Sequence, residues 1–260
     1  MLRRAQPLLG TLVEIACSEG DAALAASEAA FTSIARVHAL MSAHERGSDL
    51  SRFNAAPPGQ WLALAPESIA VFEAALELSH RTQGVFDVCA TSPAGTRGYW
   101  HDIEIEPTQE RLRKHAPLRA DLGGIAKGYA VDAAVYTLQQ AGAAQGWVNA
   151  GGDLRVFGDI SLALRVRAPW DVSQTLGCTT LRDQAAATSA NYVAASVSSG
   201  QAAAACLRHG LTADPVTAQQ SWTVTAGNCM MADALTKVVA ATGEAHHAVL
   251  AHYGARAWIF

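Results

Sequence analysis

Residues 121–153 read DLGGIAKGYAVDAAVYTLQQAGAAQGWVNAGGD. Two glycine pairs, Gly123-Gly124 and Gly151-Gly152, flank a helix-patterned stretch, and each lies next to an aspartate, Asp121 or Asp153. Lys127 follows the first pair. Glycine lets backbone N–H groups approach a ligand closely, and a helix start favours an anion. The stretch therefore suggests a phosphate-bearing ligand held between two turns. A strand, a helix and a second strand joined by tight connections would carry the same glycines, and the residues alone leave both readings open.

Outward from this block, the chain reads as α+β. Residues 8–17 look like an opening strand. A helical period over 21–41 places Leu24, Phe31, Ile34, His38 and Met41 on one stripe, with His38 as a packed core histidine. Residues 42–58 read as a structured loop, and Pro66 begins a helix that ends by Gly84. Residues 85–120 carry mixed signals. A helix with its entry turn spans Gly123–Ala141, and 147–149 and 154–157 form a hairpin-like pair around Gly151-Gly152. Further strands are expected over 160–170, 176–182, 185–188 and 221–226. Residues 194–206 are Ala/Ser-rich and weakly patterned. A last helix over Met231–Thr242 precedes closing strands at 247–250 and 255–260. Strands and helices intermingle without a strict βαβ rhythm, which points to a single compact α+β domain over 1–260, with mixed sheets flanked by helices.

The totals narrow the function. Half of the 260 residues are apolar and the formal charge is −4, so the chain supports a sizeable core. No long basic run exists, which argues against a nucleic-acid partner. No apolar stretch reaches membrane-spanning length. As given, the chain is expected to be cytoplasmic, or periplasmic if a leader has been removed. Five widely spaced cysteines without a Cys-x-x-Cys read as reduced, mostly buried thiols rather than zinc ligands.

The block from Asp121 to Asp132, followed by Val148–Asp153, resembles the ApbE-type flavin transferase family (FAD:protein FMN transferases). The resemblance extends along nearly the whole chain. It takes in Leu9-Gly10-Thr11; Met41-Ser42 with Ser48-Asp49-Leu50-Ser51-Arg52-Phe53-Asn54; and Gly84-Val85-Phe86-Asp87. Ala187-Thr188-Ser189 with Asn191-Tyr192, Asp214-Pro215-Val216-Thr217 and Ala232-Asp233-Ala234-Leu235 follow in the family's order.

The resemblance implies an ApbE-like fold that binds FAD and magnesium. It implies cleavage of FAD at its pyrophosphate, release of AMP, and attachment of FMN to a Thr or Ser of a partner protein. Some family members instead hydrolyse FAD. The alternative reading for this chain is an FAD pyrophosphate hydrolase or an FAD-binding protein without transferase activity. The implied cofactor residues are Met41, Ser42, Asp121, Gly123, Gly124, Lys127, Asn149, Gly151, Gly152, Asp153, Thr188, Ser189 and Asp214. Asp121 and Asp153 would bond cofactor hydroxyls or orient their turns. Lys127 would meet a phosphate. The implied metal ligands are the backbone oxygen of Ala126, the carboxylate of Asp233 and the residue four after it.

Three departures fall in this implied site. The family's threonine four residues after the helical aspartate is Lys237 here, with Thr236, the remaining candidate hydroxyl ligand, one place earlier. A protonated lysine has no lone pair for a metal. Lys237 is either an i,i+4 partner of Asp233, worth about 0.3–0.5 kcal/mol on an exposed helix, or a fixed positive charge in the metal's place. The family's histidine three residues before Asp214 is Leu211 here. His209, five before, is the candidate catalytic base if the loop restores its position, and otherwise a surface histidine. The aromatic residue after Met-Ser is His44. Asp233 and Lys237 complete the catalytic candidates.

Overall fold

The computed structural model describes residues 1–92, 98–168, 170–171, 173–190 and 207–260. In chain order the elements are β1 (Leu2–Leu8), β2 (Thr11–Cys17), α1 (Ala23–Met41), α2 (Asp49–Ala55), β3 (Leu62–Ala63) and α3 (Pro66–Arg81). Then come β4 (Ile103–Glu106), β5 (Arg111–Lys114), α4 (Ala126–Gln140), β6 (Gly146–Ala150), β7 (Asp153–Phe157), β8 (Ser161–Arg167) and β9 (Thr175–Arg182). The chain closes with β10 (Ala185–Ala190), β11 (Ser221–Ala226), α5 (Cys229–Thr242), α6 (Ala248–His252) and β12 (Arg256–Ile259).

Seven strands form the main sheet in the order β1-β2-β6-β7-β10-β11-β12, beside a small β3-β5-β4 sheet and the β8-β9 ribbon. The architecture is α+β with sheets flanked by helices. Its named ladders are antiparallel throughout.

The period of two along the strands sorts residues between two cores. On β2, Val13, Ile15 and Cys17 face the helices, while Ala16 faces the other side. On β6, Val148 and Ala150 go to the helical side and Trp147 to the opposite one. The helical core gathers α1, α3, α4 and α5 around Phe31, Ile34, Phe72, Val135 and Leu235. The smaller core lies toward the β8-β9 ribbon, with Trp147, Leu154, Val156 and Leu181.

α4 and α5 meet end to side, and this contact positions the site. A Cβ on Gly128 would lie 2.3 Å from the carbonyl oxygen of Cys229, so only glycine permits the approach. Asp132 on α4 accepts the N–H groups of Cys229 (2.9 Å) and Met230 (2.8 Å). Asn228 accepts that of Met231 at 2.8 Å. Three of the N–H groups that a helix start leaves without partners are thereby satisfied, two of them from another helix. Arg155 bonds Asp132 at 2.6 Å and fixes its orientation.

Several expectations change. The opening strand is a hairpin, β1-β2, turning at Leu9-Gly10. The buried stripe of α1 is Ala26, Ala30, Phe31, Ile34, Val37 and Met41. Leu24 is exposed, and His38 is not a core residue: its side chain is 43% exposed and its Nε2 lies 4.0 Å from Glu45. Within 42–58, the Ser48 side chain caps a helix, α2, by accepting the N–H of Ser51. Residues 247–250 begin the short helix α6 rather than a strand, with the His247 ring as its cap. The expected weak pattern over 194–206, and Asn191-Tyr192, lie outside the described residues.

Candidate functional site

A cavity of about 640 Å³ opens at the first glycine turn. Its walls include Phe86 and Asp87, Asp121, the Gly123-Gly124 turn, Thr188 and Ser189 of β10, Arg208, and Lys237 of α5. The first turn is held from both sides. Asn54 accepts the N–H of Ala120 (2.7 Å) and donates to its carbonyl (2.9 Å). The N–H of Asp121 donates to Val88 at 2.8 Å. The side chain of Asp121 then accepts the N–H of Gly123 at 2.8 Å. The turn runs directly into the start of α4, whose dipole favours a phosphate.

Asp233 is buried one turn into α5. Its Oδ2 accepts the N–H of Gly128 at 3.1 Å. Its Oδ1 accepts the ammonium of Lys237, which also donates to the Asp233 carbonyl at 3.1 Å. Thr236 is fully buried; its hydroxyl donates to the Asp233 carbonyl at 2.6 Å and pairs with Ser189 Oγ at 2.7 Å. Thr188 pairs with Thr223 at 2.9 Å across the β10-β11 ladder.

Behind the cavity, Lys127 pairs with Asp153 instead of reaching toward it. Burial opposes the charge on Lys127, but attraction to Asp233 and then to Asp153 outweighs it and raises the ammonium's pKa. Burial pushes the Asp153 carboxyl up to about 7; the charge of Asp233 reinforces this, while Lys127 and Lys237 oppose it.

The cavity thus gathers Asp121, Gly123, Gly124, Thr188, Ser189 and Lys237 from the sequence-derived set. Ala126 opens α4, two residues before the N–H that bonds Asp233. The other candidates are placed away from its walls. Met41 is core, and the Ser42 carbonyl accepts the Ser48 hydroxyl at 2.7 Å. Asn149 accepts the N–H of Gly152 at 3.0 Å, and Gly151 packs on Thr11. Asp214 is exposed, with its N–H bonded to Thr212 at 3.2 Å. His209 does not line the cavity, and its Nδ1 accepts the N–H of Leu211 at 3.2 Å. That bond leaves the proton of a neutral ring on Nε2, so the ring cannot accept a further proton there. Leu211 lines a separate cavity of about 870 Å³ with His80, Trp100 and His101.

The sequence reading missed Arg208, which supplies a second cation to the cavity wall. It also missed the helix-locking role of Asp132, although the Asp132 position lies inside the quoted motif.

The sequence model of the ApbE family matches residues 9–95 and 90–259. The chain belongs to the ApbE family. An FAD:protein FMN transferase of Vibrio cholerae is 27% identical over 241 residues, covering 78% of this chain and 69% of its own. The crystal structure of the ApbE protein of Thermotoga maritima superposes with a TM-score of 0.85 at 22% identity, covering 99% of this chain and 93% of its own. A flavinyl transferase ApbE of Pseudomonas stutzeri gives 0.81 at 18% identity, over 99% and 91%. At these identities the superpositions establish the shared fold.

The resemblance implies a divalent cation on Asp233, and the residues do not fit one. Lys237 holds Oδ1 and the Gly128 N–H holds Oδ2. The Thr236 hydroxyl is spent on the helix carbonyl and Ser189. A doubly charged ion at this carboxylate would meet the like charge of Lys237 and would have to displace its ammonium from Oδ1. Among the described residues, no group of three or more His, Cys, Asp or Glu side chains is placed to hold a metal. Among the described residues, no helix is long and apolar enough to cross a membrane.

Proposed function

We infer that this ApbE-family chain is an FAD:protein FMN transferase, with residues 1–260 acting as one catalytic unit. The observation that carries the reading is the 640 Å³ cavity, whose wall combines the family's first glycine turn with Lys237 of α5. The cavity has room for the pyrophosphate end of a dinucleotide. The backbone of Gly123-Gly124, the hydroxyls of Thr188 and Ser189, and the cations Lys237 and Arg208 are suited to phosphate oxygens.

In the proposed reaction an acceptor hydroxyl, Thr or Ser, attacks the phosphorus nearest the flavin. A new P–O bond forms to the protein, the bond to the bridging oxygen breaks, AMP departs, and the hydroxyl proton leaves to water. The protein's contribution is to position the groups and stabilise their charge, since little covalent chemistry falls to it in phosphoryl-type transfer. Asp121 orients the turn through its bond to Gly123. His209 has no assigned step, because its Nδ1 is engaged by Leu211.

Hydrolysis is the second reading, and Leu211 favours it: the side chain at the family's histidine position cannot take a proton from an acceptor. Incubating purified protein with FAD and a Thr-containing acceptor peptide separates the two. AMP release with flavin on the peptide establishes the transferase. AMP release with an unlabelled peptide establishes the hydrolase. FAD binding without AMP under any condition refutes both.

A further inference from the structure

We propose that Lys237 replaces the divalent cation of this site, so that this chain binds and cleaves FAD without a metal. The proposal rests on the transferase reading for its substrate, and its core is a statement about one side chain.

Lys237 stands one helical turn after Asp233, and its ammonium holds the carboxylate oxygen that a cation would need. The side chain is 18% exposed and its carboxylate partner 1% exposed, so this is not a solvated surface pair. An ammonium has three donors. Two are committed, to Asp233 Oδ1 and to the Asp233 carbonyl at 3.1 Å. The third remains for a phosphate oxygen.

The rest of the aliphatic chain points the same way. Lys237 lines the cavity together with Asp121, and its Cε and Cγ lie 3.5 and 3.6 Å from where a Cβ on Gly124 would sit. The ammonium's stem therefore runs alongside the first glycine turn. Arg208 adds a second permanent cation to the same wall, and its guanidinium is steadied by the Ala213 carbonyl at 2.8 Å. Two monovalent cations on separate elements can share the two phosphates of a pyrophosphate.

The neighbouring hydroxyls fit this arrangement. Where Lys237 has displaced a ligand position, Thr236 does not turn outward to replace it; it is locked between Ser189 and its own helix. An ammonium supplies one positive charge and hydrogen-bond donors but neither the double charge nor the Lewis acidity of a metal, so the geometry predicts a metal-indifferent and slower enzyme.

The test uses the full chain and two readouts. The first is FAD affinity by flavin fluorescence, in EDTA and in magnesium chloride. Wild type is expected to bind equally, within about two-fold, in both. Lys237→Thr is expected to lose on the order of ten-fold in EDTA and to recover in magnesium; Lys237→Met is expected to lose as much and not recover. The second readout is Mn²⁺ binding in the absence of flavin: none to wild type, and saturable binding to Lys237→Thr. Wild-type FAD binding that needs magnesium overturns the proposal, as does saturable Mn²⁺ binding to wild type. Absence of FAD binding to wild type in both buffers would overturn the transferase reading instead, and the Mn²⁺ comparison would still decide the role of Lys237. Circular dichroism of both variants separates a folding failure from a loss of charge.

Discussion

The two glycine turns that bracket α4 look alike in sequence and differ in what requires them. At the second, Gly151 and Gly152 have φ of +62° and +104°, values that side chains with a Cβ avoid. A Cβ on Gly151 would also lie 2.6 Å from Thr11 Oγ1. The fold itself demands glycine there. At the first turn neither glycine has a positive φ. A Cβ on Gly124 would meet only the flexible chain of Lys237 and the edge of Phe86, at ordinary contact distances of 3.5–3.7 Å. Among the described residues, nothing inside the protein requires that glycine. The open side of this turn is a cavity, and the proposed function accounts for the residue by close approach of a ligand. On that reading one motif contains a turn needed for folding and a turn needed for binding.

The largest effect is expected from breaking the folding turn. Gly151→Ala combines a left-handed backbone cost of about 1–2 kcal/mol with overpacking against Thr11 of about 1–3 kcal/mol. Thermal unfolding should show a midpoint lower by on the order of 5–10 °C for a chain of this size. Adding Thr11→Ala should recover the steric part and leave the backbone part. An unchanged midpoint in the single variant would erase the contrast between the turns.

A smaller effect is expected at the aspartate beside that turn. Asp153 is buried, with its carboxyl pushed up to about 7 from an ordinary 3.8. A carboxyl whose folded pKa is raised binds its proton more tightly in the native state. It contributes stability that is fully present below the unfolded value and is lost as pH rises through the folded one. The window is therefore about pH 4 to 7. Asp153→Asn should flatten the fall in unfolding midpoint across that window. Parallel pH profiles for wild type and variant would show that Asp153 does not titrate there.

The sequence disclosed most where local chemistry and fold agree. The β6-β7 hairpin was readable because alternating apolar residues frame a glycine turn whose backbone needs glycine. α3 was readable from Pro66, which is preorganised for a helix start. The site was only half legible. Gly123, Gly124, Thr188, Ser189 and Lys237 converge on one cavity, whereas Lys127, expected to meet a phosphate, and Asp153, expected to bond the cofactor or orient its turn, pair with each other. An unlike-charge pair 26 residues apart is invisible until the fold brings its members together. Arg208 was missed for a related reason: its place beside Lys237 comes from the pairing of Arg208 with Pro215, a contact with no periodic signal. His38 shows the opposite failure, in which a helical stripe was drawn too wide. The buried face of α1 is fixed by small residues, Ala26 and Ala30, that hydrophobic periodicity underweights.

The binding turn gives the smallest expected change in stability and the sharpest discrimination. Gly124→Ala adds one methyl group in a backbone conformation that alanine adopts, beside side-chain atoms that are already at van der Waals distance. Its unfolding free energy should stay within roughly 0.5 kcal/mol of wild type, and the reduced freedom of the unfolded chain pushes it slightly upward. The same methyl projects beside Lys237 into the space where a phosphate would approach the backbone, so FAD affinity should fall on the order of ten-fold. Two measurements on one variant, a thermal melt and an FAD titration, then separate the roles. Stability held with affinity lost assigns Gly124 to the ligand. Stability lost with affinity held would mean that both turns serve the fold, and the cavity at the start of α4 would then lose its strongest support as the flavin nucleotide site.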